Sequence, residues 1–122
     1  MANSLAGEVA YTLRGLGDVE VRRFFAGSSL RLGGVQFAFV MKGVLYLRVN
    51  DLTRGKFEDA GCKPFSYAGG DRKMTVASYY EAPADVMEDP SMLRRWVRDA
   101  HRAAIQAKSA GRRGWQRRAK RT

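Results

Sequence analysis

A single cysteine, Cys62, excludes an internal disulfide, so nothing in the 122 residues calls for an oxidising compartment. No run approaches the roughly 18 apolar residues that span a bilayer. The opening "MANSLAGEVAYTLRG" also lacks the basic start and long apolar stretch of an export signal. A cytoplasmic protein with no membrane partner is expected. With one histidine, His101, nucleophilic catalysis would need Ser28, Ser29 or Cys62 beside that ring, and nothing in the spacing argues for it. Acids are missing from one place in particular. The last 15 residues carry seven of the 22 bases and none of the 12 acids, leaving 15 bases against those 12 acids in the other 107 residues. The net charge of +10 therefore belongs mostly to one end.

What is present suffices for one core: 45% of the residues are hydrophobic in a chain long enough to bury them. Leu5, Val9, Leu13 and Leu16 recur at helical spacing behind Ser4 as N-cap, with Gly17 beyond the end. Val19, Val21 and Phe25 then alternate as a strand, and Gly27, Ser28 and Ser29 read as an interruption. Leu30 and Leu32 lead into Gly33-Gly34, a hairpin turn, from which Val35, Phe37, Phe39 and Met41 return along one face. After Lys42-Gly43, Leu45, Leu47 and Val49 answer them from the next strand, the pattern of a meander whose ribbon is chiefly core.

Asp51 is expected to cap a short helix that Gly61 ends. Phe65 and Tyr67 form a fifth strand, Gly69-Gly70 a turn, and Met74, Val76, Ser78 and Tyr80 a sixth. Asp89-Pro90 begins the longest helix, with Leu93, Trp96, Val97, Ala100 and Ala104 as its buried stripe. Gly111 and Gly114 are expected to break it. The expected class is α+β: an antiparallel sheet of five to six strands, a meander plus a hairpin, with an N-terminal helix, a short middle helix and a longer C-terminal helix. Residues 1–107 would form one domain and residues 108–122 a basic, disordered tail.

Four segments, "RRFFAG" (22–27), "LYLRVND" (45–51), "AGCKPFSY" (60–67) and "SYYEAP" (78–83), in this order and followed by a terminal helix, resemble the N-terminal domain of the TfoX/Sxy family. These are bacterial proteins associated with regulation of competence for DNA transformation. The family typically has a basic pair followed by Met-Phe-Gly-Gly where this chain has Phe24, Phe25, Ala26 and Gly27, and a further glycine is common where Ser29 stands. Alanine and serine accept positive φ poorly, so no role that depends on an unusually close backbone approach is expected of this loop. The resemblance implies a stand-alone N-terminal-type domain and a link to transcriptional control, and does not imply a catalytic activity; a non-enzymatic module is expected. It transfers no catalytic residues and no cofactor.

Two surfaces remain as candidate sites. Arg94, Arg98 and Arg102 stand four apart on the last helix and lead into Lys108, Arg112, Arg113, Trp115, Arg117, Arg118, Lys120 and Arg121. Such a track neutralises phosphates without reading sequence, and Trp115 offers a ring for an unpaired base, although a solvated helix face is the commoner use of such charges. Phe24, Tyr46 and Tyr79 would form a protein-binding aromatic patch if they share the sheet face away from the helices, while Tyr80 alternates with Tyr79 and points the other way. The acids Glu81, Asp85, Glu88 and Asp89 read as helix-start charges rather than a metal site, and His101 as a boundary residue beside the buried stripe. The expected partners are a protein, such as a transcription factor, nonspecific nucleic acid, or a second copy in a homodimer.

Overall fold

The computed structural model describes residues 4–119, with side chains described as far as Ser109. Helix α1, Leu5–Thr12, begins where the Gly7 amide donates to Ser4 Oγ at 3.0 Å. It ends one turn earlier than its apolar spacing suggests: Arg14–Leu16 is a 3-10 turn. Six strands follow, β1 (Val19–Phe24), β2 (Gly27–Leu32), β3 (Val35–Met41), β4 (Val44–Arg48), β5 (Pro64–Gly69) and β6 (Arg72–Glu81). All neighbours are antiparallel, in the order β1-β2-β3-β4-β6-β5. Helix α2 (Arg54–Asp59) sits between β4 and β5, and α3 (Ala84–Glu88) and α4 (Pro90–Ala119) close the chain. The α+β class, the six strands and the N-terminal, middle and long C-terminal helices are those expected, and α3 is an addition.

Turn chemistry explains most of the meander. Gly33-Gly34 (φ 60° and 77°) and Lys42-Gly43 (φ 52° and 77°) each put two consecutive residues in the left-handed region, which suits the twist of a two-residue hairpin. The β1–β2 hairpin departs from expectation. Its turn is Phe25-Ala26, with Phe25 at φ 52°, while Gly27, Ser28 and Ser29 are paired strand residues rather than an interruption. Gly27 also explains how this turn dispenses with the glycines replaced by Ala26 and Ser29. A Cβ on Gly27 would lie 1.9 Å from the Val40 carbonyl oxygen, so the close backbone approach falls at the glycine that is retained.

A second departure decides which residues face which side. Leu30 pairs with Ala38 but Arg31 pairs with Gln36, so Phe37 is an extra residue on β3, a β-bulge. The bulge resets the alternation. Phe37, Ala38 and Val40 all join the inner core, whereas Phe39, expected to point inward, lies opposite Tyr46 on the other face. Leu30, Phe37, Leu45, Leu47 and Val49 meet Val9 and Leu13 from the N-terminal segment and Leu93, Val97, Ala100 and Ala104 from α4. Trp96 stands edge-on to Phe57 of α2, ring centroids 4.8 Å apart.

The caps are partly as expected. The turn before α2 is organised by Asn50, not Asp51: Asn50 Oδ1 accepts from the Leu52 and Thr53 amides, and Asp51 pairs instead with Arg54 at 2.8 Å. At the far end Gly61 (φ 78°) donates to Glu58 O and Cys62 to Phe57 O, the paired bonds of a Schellman cap. Asp89 Oδ1 accepts from Ser91 and Met92 at the start of α4. The helical backbone then continues through Gly111 and Gly114 to Ala119. An isolated glycine costs about 1 kcal/mol against alanine in a helix, and the surrounding arginines, alanine and glutamine are strong helix formers. No helix among the described residues is long and apolar enough to cross a membrane.

Candidate functional site

The pleat that sends Leu45 and Leu47 toward the helices sends Tyr46 the other way, and the bulge sends Phe39 with it. On that outer face Phe39 is the hub of a ring cluster. Its centroid lies 5.2 Å from Phe24, 5.2 Å from Tyr46, 4.9 Å from Phe65 and 4.9 Å from Tyr79. Phe65 also meets Tyr46 edge-on at 5.0 Å and Tyr67 at 6.0 Å. The core residues borne by the helices pack on the opposite face.

The candidates Phe24, Tyr46 and Tyr79 are thus brought into one cluster, with a correction for Tyr79. It is buried, beneath the Arg48 guanidinium 5.5 Å from its ring, and forms floor rather than exposed patch. Phe24 and Tyr46 are half-buried. Burial, and then the charge of Glu81, push the Tyr46 phenol above its ordinary value, so it stays a neutral hydrogen-bonding group at physiological pH. Tyr80 turns inward as expected, and its hydroxyl donates to Glu58 Oε2 at 3.2 Å. Within the cluster and its rim, the most open rings are two that sequence reasoning did not assign to the patch: Phe25 is 85% exposed and Tyr67 48%. Phe25 stands edge-on to Phe24 at 4.8 Å.

A bulky residue with positive φ is strained, and a phenylalanine so exposed gains little from burial in return. Sequence alone gives one sign of this, the displacement of "FFAG" from the usual glycine pair.

On α4, Arg98 and Arg102 are exposed and flank a shallow apolar furrow lined by Leu16, Leu32 and Val97. Arg94 is half-buried, its Nη2 3.4 Å from Ser91 Oγ. Lys108 leaves this track. Six residues beyond Arg102 it is rotated by roughly 240°, and it faces the end of the sheet instead. The side chains of Arg112, Arg113, Trp115, Arg117 and Arg118, and all of Lys120 and Arg121, lie outside the described residues.

The remaining reactive groups do not converge. His101 Nε2 lies 2.8 Å from the Leu32 carbonyl oxygen, which ties the ring to the sheet. Burial, then Glu81, raise the Cys62 thiol, which keeps it protonated and weakly nucleophilic. No group of three or more His, Cys, Asp or Glu among the described residues is placed to hold a metal ion.

A family model, the TfoX N-terminal domain, matches residues 11–104. That span takes in the last two residues of α1, all six strands, α2, α3 and the first half of α4, and so contains both the ring cluster and the arginine track. No curated protein matches the chain.

Proposed function

The chain belongs to the TfoX N-terminal domain family, and from that premise we propose that it is a non-enzymatic regulatory module of the competence-regulator type, acting through protein contacts on its outer sheet face. The observation that carries this reading is Phe25, which holds a strained backbone and an open ring at the rim of an aromatic cluster on the sheet face opposite the helix-borne core. Interface centres favour such rings, which contribute much area for few lost rotamers. The partner is a protein concerned with transcription in the cytoplasm. Residues 1–107 act as the docking body and residues 108–122 as a basic arm. Replacing Phe25 by Asn and Tyr46 by Ser in the full chain tests this: the partner recovered with the wild type should be lost from the variant. Its retention at wild-type yield counts against the reading.

A second reading has its own support in the seven bases after Ala107, which no acid offsets within that segment. In it the protein holds nucleic acid nonspecifically through the face of α4 and the arm. DNA binding by the full chain and by a chain ending at Ala107, compared across salt concentrations, decides it. A steep salt dependence lost on truncation supports this second reading, and no binding by either form removes it.

A further inference from the structure

Lys108 lines a cleft together with two arginines that neither reading uses. Arg31 on β2 pairs across the sheet with Gln36 on β3, and Arg48 on β4 with Tyr79 on β6, so the four form a row over four strands. Gln36 Nε2 and Tyr79 Oη approach to 3.4 Å and close that row. Together with Lys108 they line a cleft of about 410 Å3 where α4 passes the end of the sheet. No acidic side chain lines it, and none of the three cations joins an ion pair among the described residues.

Arg31 has one hydrogen bond, from Nη2 to the Gly34 carbonyl oxygen at 3.0 Å. Both Arg31 Nε and Arg48 Nε are buried without an acceptor. Three like charges gathered from three elements are unfavourable for folding, and buried donors left unmade add to the cost. Within the fold they gain only the Arg31 bond to Gly34 and the Arg48 contact with the Tyr79 ring, and no counter-charge.

The geometry points to an anion-binding cleft that takes the terminal phosphate of a small phosphorylated ligand. A carboxylate is satisfied by one guanidinium fork. Three cations drawn from three elements suit a dianion with three free oxygens, and the phenol and carboxamide supply neutral donors. The volume leaves room for the body of a metabolite behind its phosphate. The cleft shares Tyr79 with the floor of the ring cluster and Lys108 with the basic arm, but the open rings Phe25 and Tyr67 on which the protein-contact reading rests do not line it.

The test is a titration of the full-length protein with inorganic phosphate, read by NMR and thermal unfolding against chloride at matched ionic strength. Expected are saturable shifts at Arg48, Tyr79 and Lys108 and a higher unfolding temperature in phosphate. Arg48→Gln and Arg31→Gln should each weaken binding at least tenfold, while Arg98→Gln, outside the cleft, should leave it unchanged. Equal responses to phosphate and chloride overturn the proposal even if a cleft variant fails to fold. So does an Arg98→Gln effect as large as that of Arg48→Gln, or binding of a thymidine oligonucleotide without binding of phosphate.

Discussion

The two faces of the sheet both carry apolar residues but are finished differently. The inner face is mainly aliphatic and covered: Leu30, Leu45, Leu47 and Val49 close against α1 and α4, and Phe37 is fully buried among them. The outer face is aromatic and covers itself, with Phe39 and Tyr79 buried by neighbouring rings while Phe25 and Tyr67 stay open. The difference teaches that burial and availability can be separated on one sheet. Rings are wide enough to shelter a floor residue and still present an edge, whereas branched aliphatic chains need a second layer.

The comparison breaks first on the inner face if it is wrong. Phe37→Ala should lower stability by about 3–5 kcal/mol in denaturant unfolding, because it empties a site with no route to collapse. A cost below about 1 kcal/mol would mean that the bulge does not place this ring in the core. Gly27→Ala comes next, since its Cβ meets the backbone of β3. About 1–3 kcal/mol is expected, read by the same unfolding measurement. A smaller loss appears on the alkaline side. Burial, and then the hydrogen bond to Glu58, raise the Tyr80 phenol. The folded state therefore holds this proton more tightly, and the stability it contributes is present below the ordinary tyrosine value and lost as pH rises through the raised one. Thermal unfolding should weaken above about pH 10, less so in Tyr80→Phe. The outer rim should respond least: Phe25→Asn places a residue that tolerates positive φ at the turn, so stability should stay within about 0.5 kcal/mol of wild type.

Much of this was legible in the residues because hairpin glycines and alternation act locally. Gly33-Gly34, Lys42-Gly43 and Asp89-Pro90 mark their turns and helix start without help from distant residues. Phe39 was misplaced because "VQFAFVM" is almost continuously apolar, and an unbroken run does not reveal where a bulge shifts its phase. Asn50 was missed in favour of Asp51 because both have the same capping chemistry, and only the path of the chain chooses between neighbours. Of the candidate patch, Phe24 and Tyr46 were readable as residues alternating out from apolar neighbours. Phe25 was not, since a strand pattern runs through it and only the pairing of Phe24 with Gly27 makes it a turn. The arginine pair of the cleft was hidden for a similar reason: Arg31 and Arg48 are 17 positions apart, and the sheet order brings them together.

Whether the open aromatic rim recognises a protein can be measured with a photo-crosslinking phenylalanine analogue placed in the full chain at position 25 and, as a control, at position 11. Tyr11 is 67% exposed on α1, away from the rings. The account predicts a discrete protein adduct from position 25 and none from position 11. Absence of an adduct at position 25, or the same adducts from both positions, would contradict it.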